Sequence, residues 1–262
     1  QKEPVIDMPT RFVDFMCVLV PMAGDDTTPE GEQVNIYGNH VGSWNFAATA
    51  YLNQWKVKIY YEHYFDDHSQ MFFQYGRWKD GHIGLEITFP KNRFIDTFVY
   101  EGLGTKDQTG PMLYDSFWGE FEEQISAKDN YYNHYLYQGW QHWGMGIGNP
   151  LLPGPIYNKN GQITFISNRV LAHHIGFCGS PCQSLSYRML LSYSRHWGTY
   201  DNPLNEIKKQ FNSLFEVTYA PQQLKGWSFT VSGAMDRGSM LGNNYGGMLV
   251  IRKQGIIKSG NK

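Results

Sequence analysis

Large apolar and small polar side chains alternate along much of this chain, the period-two spacing of a strand with one face in an apolar environment. In Trp227–Ser232 the large residues fall at 227, 229 and 231 and the small polar ones at 228, 230 and 232. Trp55–Ile59 sets two lysines against three apolar residues, and Phe215–Tyr219 alternates in the same way. From Tyr187 to Trp197, positions 187, 189, 191, 193 and 197 are apolar or aromatic, and the other face carries Arg188, Ser192, Ser194 and His196. The pattern predicts strands at 42–52, 55–65, 71–78, 82–89, 95–103, 131–144, 163–177, 183–197, 209–220, 226–236 and 244–255. Several reach the ~9–11 residues that a tilted strand needs to cross a bilayer.

The connections mostly alternate short and long. Asn53–Gln54, Lys79–Gly81, Cys178–Cys182 and Pro221–Lys225 read as turns, and 66–70, 145–162, 198–208 and 237–243 as loops. Outer-membrane barrels have short turns on the periplasmic side and longer loops outside. Segment 104–130 is the exception, long on the side expected to be periplasmic, with Phe117–Gln124 as a short helix or part of an inward fold. The last strand ends on the short-turn side. The first, 42–52, starts from the opposite side, so an earlier strand is expected. Thr10–Val20 is a candidate, but Asp14 interrupts it, and the expectation is that an upstream part of the barrel lies outside this chain.

The expected fold class is therefore all-β, an antiparallel transmembrane β-barrel, as an incomplete part of a larger barrel. Residues 1–41 are an N-terminal loop or connecting segment, 42–257 the barrel region and 258–262 a tail. Lipid offers the backbone no hydrogen-bond partners, so strands in it must close on one another. Trp55, Trp197, Tyr219 and Trp227, near strand ends, fit an aromatic girdle. The competing reading is a soluble secreted β-sandwich, a lectin or glycosidase, with the same aromatics in its core.

Composition narrows the classes. Charged residues are 18% of the 262 and aromatics 16%, a bias toward β structure. A net charge of −2 leaves no nucleic-acid footprint. A mean hydropathy of −0.47 argues against a bundle of membrane helices but not against a barrel. Residues 130–158 contain no Asp, Glu, Lys or Arg, yet their glycines and prolines forbid a spanning helix. Cys178 and Cys182 either form a disulfide across a turn, given an oxidising compartment, or stay as thiols. The chain opens without Met and without a signal peptide, so it is expected to be a processed form or part of a longer chain.

Two groups carry candidate chemistry. Glu62, His63, Asp66, Asp67 and His68 lie within seven residues. Glu62, Asp66 and Asp67 are candidate ligands for Ca²⁺, which takes hard oxygen donors; the alternative is a polar strand end turning into an outer loop. Trp140, His142, Trp143 and Tyr157 are candidate saccharide contacts, because aromatic faces stack on sugar C–H surfaces and imidazoles bond hydroxyls; the alternative is girdle or lumen packing. Gly144, Gly146 and Gly148 form no nucleotide fingerprint. His173 and His174 must point to opposite strand faces. Arg188, Arg195 and Arg252 are expected in the lumen or at strand ends, in salt bridges or facing an acidic polysaccharide. No G-x-S-x-G elbow is present, no cofactor is implied, and an enzyme is not expected.

The ordered segments Tyr60–Met71 (YYEHYFDDHSQM), Tyr75–Gly81 (YGRWKDG), Asp129–His134 (DNYYNH), Gly139–Leu152 (GWQHWGMGIGNPLL) and Asn243–Met248 (NNYGGM) resemble the capsule assembly Wzi family in its Bacteroides-like form, from about residue 10 to 257. The resemblance implies an outer-membrane β-barrel that helps attach capsular polysaccharide to the cell surface. The partners expected from it are capsular or other surface polysaccharide, outer-membrane lipid and other outer-membrane proteins or lipoproteins. It assigns no catalytic residues. Family members are longer, and this chain resembles their C-terminal portion. It ends in Ile256–Lys262, without the terminal aromatic typical of many outer-membrane barrels. A porin or structural barrel without sugar binding is the third reading.

Overall fold

A computed structural model describes residues 7–34, 36–66, 68–73, 79–92, 94–137 and 139–255. Nine long strands form one antiparallel meander: β1 (Gly42–Leu52), β2 (Trp55–Phe65), β3 (Gly81–Thr88), β4 (Thr97–Gly104), β9 (Val170–Cys182), β10 (Leu185–Gly198), β11 (Pro203–Tyr219), β12 (Trp227–Gly238) and β13 (Asn244–Lys253). Between β4 and β9 a long excursion carries two small ladders, β5 (Leu113–Tyr114) with β6 (Ile125–Ser126) and β7 (Gln141–His142) with β8 (Met145–Gly146). The nine-stranded sheet is not closed; β1 and β13 are its edges.

Register sorts the side chains by face. One row runs across all nine strands as Ala48, Ile59, Leu85, Tyr100, Ile175, Leu191, Ser213, Met235 and Tyr245. A row on the other face runs Ala47, Tyr60, Gly84, Glu101, His174, Ser192, Asn212, Asp236 and Asn244. A one-residue slip anywhere would exchange the faces. The apolar face leaves Phe46, Ile59, Ile83, Ile175, Phe215, Val231, Leu249 and Ile251 exposed. The buried interior is largely polar, with Asp80, Gln108, Asn168, Ser194, His196 and Gln210 nearly inaccessible. Partition by face is thus inverted relative to an ordinary soluble sheet, whose apolar face is the covered one.

Most expected strands are present; that at 131–144 is not, and that at 71–78 lies mostly outside the described residues. Residues 131–144 hold no long strand, only turns and the two-residue β7. Asn130, Asn133 and Asn168 bond backbone and one another instead of leaving a regular ladder: Asn133 Nδ2 donates to Phe165 O at 2.9 Å and its Oδ1 accepts from Phe165 N at 2.8 Å, and Asn168 Nδ2 donates to Tyr131 O at 2.8 Å. Asn side chains compete with the backbone in this way. In the expected 71–78 strand, Met71 ends the short helix α3 (His68–Met71) and 72–73 form a turn; 74–78 lie outside the described residues. β2 pairs directly with β3, and that pairing reverses the side expected for 104–130. That segment joins 131–169 as a single excursion on the long-loop side, so its anomaly disappears. Within it, Ser116–Trp118 is a single 3-10 turn, not a longer helix through Gln124.

Thr10–Val20 is not a strand. Phe12–Leu19 forms α1, and Glu30–Val34 forms α2, so helices interrupt the expected N-terminal loop. Asp14, which breaks the alternation, accepts from the Arg11 backbone N–H at 2.7 Å and from its guanidinium at 2.8 Å, closing the helix N-terminus. Strand β11 begins at Pro203, well before the expected 209, because exposed Asn205, Glu206 and Lys209 hide a strand that runs on beyond the apolar band. Cys178 and Cys182 both lie on β9, not across a turn. The ladder shifts register between Leu185 and Tyr187, at a bulge that admits Pro181.

The excursion is anchored at Asp80. This buried carboxylate accepts from the backbone N–H of Asp107 at 2.8 Å, from the backbone N–H of Gln108, and from the Tyr131 hydroxyl at 3.2 Å. Thr105 Oγ1 donates to Asn168 O at 2.6 Å and accepts from Val170 N at 3.1 Å, joining the two ends of the excursion. A small apolar cluster of Tyr132, Leu152, Phe165, Val170 and Ala172 sits above them.

Cys178 and Cys182 are free, and a strand separates residues four apart by on the order of 10–13 Å, beyond disulfide reach. Thiol alkylation of the denatured protein is expected to give the same mass with and without prior reductant; a difference would contradict the strand assignment. Burial pushes the Asp80 carboxyl up to about 6, against the opposing pull of its backbone N–H donors. A group whose folded pKa is raised contributes stability that is fully present below its unfolded pKa and lost as pH rises through the folded value. Protection of the Asp107 and Gln108 amides, corrected for intrinsic exchange, is expected to fall between pH 3.8 and about 6. Asp80→Asn should abolish that dependence and cost about 1–3 kcal/mol, because an amide N–H would face a backbone donor.

Candidate functional site

The polar face and the excursion enclose a cavity of about 950 Å³. Its lining includes Ser43 on β1, Glu62 and Tyr64 on β2, His82 on β3, Glu101 on β4, His174 on β9, Ser192, Ser194 and His196 on β10, and Gln210 and Asn212 on β11. In a flat sheet, β1 and β11 would stand six spacings of about 4.8 Å apart, ~29 Å. One cavity touching both means that the sheet curls around its polar face. Tyr131, Tyr132, Asn149–Gly154 and Tyr157 of the excursion form the opposite wall.

The floor is a line of hydrogen-bonding groups, one or two per strand. Ser43 Oγ donates to Glu62 Oε1 at 2.7 Å. His82 lies between two carboxylates, its Nδ1 3.8 Å from Glu62 Oε2 and its Nε2 3.4 Å from Glu101 Oε1. The Tyr60 hydroxyl donates to Glu101, and it crosses β3 to do so over Gly84, where any Cβ would collide with the tyrosine ring. A glycine at 84 is therefore part of the site. His174 Nδ1 is 2.7 Å from Ser192 Oγ, and His196 Nε2 is 2.9 Å from Ser194 Oγ. Asn212 Nδ2 donates to Asp236 Oδ1 at 2.7 Å.

The expected saccharide residues separate. Trp140 is half-buried, its ring stacked on Tyr132 at 5.3 Å and 10°; it packs the wall. Trp143 is 84% exposed at the tip of the β7–β8 hairpin, with His142 edge-on to it at 6.0 Å. Neither lines the cavity. Tyr157 does, and the turn Pro155–Tyr157 that carries it is tied to the hairpin by Ile156 N donating to Gly144 O at 2.8 Å. Of the candidate metal ligands, Glu62 faces the cavity, Asp66 lies beyond the end of β2, and Asp67 lies outside the described residues. Among the described residues no three His, Cys, Asp or Glu side chains converge to hold a metal ion.

The remaining floor residues, His82, Glu101, His174, Ser192, His196, Gln210 and Asn212, were not singled out as a group from the sequence. Each is the ordinary polar partner in an alternating strand, and only the register brings them together. His173 and His174 do point to opposite faces. His173 meets the Tyr100 hydroxyl at 2.8 Å on the apolar side. Arg188 is held by Glu216, its guanidinium within 2.8 Å of Oε1, and Arg195 lies over the Trp197 ring. Outside the sheet, His134 Nε2 is 3.4 Å from Glu32 Oε1. Burial pushes the imidazole down to about 4 and the Glu32 carboxyl up, so this contact is not a charged pair.

No family model, curated protein or solved structure matches the chain.

The two tryptophans are expected to behave differently. Trp140→Ala opens a gap beside Tyr132 and should cost about 3 kcal/mol, the low end for truncating a large aromatic. Trp143→Ala should change stability by under about 0.5 kcal/mol, as for exposed positions. Proteolytic susceptibility of the 105–169 excursion measures both; equal effects would contradict the placement.

Proposed function

We propose that the sheet is the lipid-facing wall of an outer-membrane β-barrel, similar in kind to the Wzi capsule proteins, and that its polar side holds a capsular or other surface polysaccharide. The observation that carries this reading is the exposed apolar face. A contiguous apolar surface spanning nine strands is far beyond what an isolated soluble domain exposes, whereas lipid both covers it and requires the backbone to be satisfied by neighbouring strands. Among the described residues no helix is long and apolar enough to cross a membrane. Membrane closure requires pairing partners for both edges, β1 and β13.

The polysaccharide part rests on the cavity. Hydroxyl, amide, imidazole and carboxylate groups alternate across its floor, and Tyr64, Tyr132 and Tyr157 supply aromatic surface, the mixture that a polyhydroxylated ring with apolar C–H faces requires. The excursion lies on the long-loop side, where an outer-membrane barrel meets the exterior, which supports a cavity open to surface glycan.

A pair of adjacent substitutions tests the membrane reading. Val231 is on the apolar face and Thr230 on the polar one. Val231→Arg should cost about 2–4 kcal/mol in folding into lipid, and Thr230→Arg should cost much less. Reversible folding into vesicles measures the difference. Equal costs, or a monodisperse whole protein in plain buffer, would sink the proposal.

A further inference from the structure

We propose that the cavity selects saccharides carrying a free, protonated amine and rejects anionic sugars such as uronic acids; this rests on the saccharide reading above and adds the charge of the ligand. Among the described residues the only carboxylates lining the cavity are Glu62 and Glu101, and no Lys or Arg lines it. Several basic side chains elsewhere on that face have acidic or aromatic partners, and Arg252 stands on the edge strand β13, no residue of which lines the cavity. Lys56 lies 3.5 Å from Glu86, Lys58 sits over the Tyr60 ring at 5.1 Å, and Arg188 pairs with Glu216. An anionic sugar entering would lose water and meet carboxylates with no cation to offset them. An ammonium group would meet two carboxylates that share a single imidazole, His82, in a partly enclosed site where charge interactions are stronger than in water.

A second observation points to a ligand independently. His196 is 97% buried (3% exposed) and lines the cavity. Its Nε2 engages Ser194, while its Nδ1 has no hydrogen-bond partner among the described residues. Buried polar atoms in native proteins are almost always paired, so a nitrogen of this kind on a cavity wall is matched by a ligand hydroxyl. Carboxylates on β2 and β4 and the imidazole on β10 then read two parts of one sugar chain, its amine and a hydroxyl.

The test is calorimetric titration of the whole protein in detergent with three probes: a glucosamine oligomer, its N-acetylated counterpart of equal length, and an oligogalacturonate. The glucosamine oligomer is expected to bind about tenfold or more tighter than the N-acetylated one, and the galacturonate not measurably. Glu62→Gln with Glu101→Gln should erase that preference. His196→Ala should weaken both neutral and amino oligomers while leaving their ratio unchanged. Circular dichroism verifies that each variant folds. Galacturonate binding as tightly as glucosamine, or an amine preference that survives the double substitution, would overturn the charge inference alone. Absence of binding to all three probes would overturn the saccharide reading with it.

Discussion

Everything in this structure depends on the register that keeps nine strands in phase. Because strand side chains alternate, one continuous ladder decides at once which residues meet the apolar surroundings and which line the cavity. The row from Ala48 to Tyr245 and the row from Ala47 to Asn244 are consequences of the same hydrogen bonds. Neither face can be altered by sliding a strand without ruining the other. The tight turns at 53–54 and 183–184 fix that phase locally, and the bulge at the end of β9 absorbs the one extra residue that would otherwise break it.

The cavity is a second consequence. A curled polar face alone would be an open trough. It becomes a site because the excursion between β4 and β9 folds back over it, held at Asp80, Thr105 and Asn168 by buried polar contacts with little apolar packing. This is an expensive way to fix a loop, since each group must be satisfied to be tolerated. It also gives the loop one orientation, which positions Tyr132 and Tyr157 opposite the floor. Gly84 makes the complementary contribution from the sheet side by letting Tyr60 reach Glu101.

Much of the sheet was legible in the sequence, because a strand with one face in apolar surroundings writes its period directly into the residues. Both ends of β1 and β2 follow from alternation and the Asn53–Gln54 turn. Legibility failed where side chains and not ladders satisfy the backbone. Residues 131–144 are rich in aromatics and read as a strand, but Asn133 and the neighbouring asparagines hold an irregular path. The reverse error shortened β11, whose first turns carry Asn205, Glu206 and Lys209 outside the apolar band. The site was less legible than the fold. Trp140 and Trp143 stand out locally, yet one packs a wall and the other sits on a hairpin tip. His82, Glu101 and His174 lie on three strands and meet only through pairing across the sheet.

The central claim is that the sheet's apolar face touches lipid and its polar face touches water. Single spin labels placed in turn along β12, positions 227–238, in the whole protein reconstituted in vesicles, measure this most directly through collision with oxygen and with a water-soluble nickel relaxant. The account predicts period-two behaviour, with oxygen dominating at the apolar positions 229, 231, 233 and 235 and the nickel reagent at 230, 232 and 234. Accessibility without alternation, or apolar positions shielded from both reagents, would contradict it.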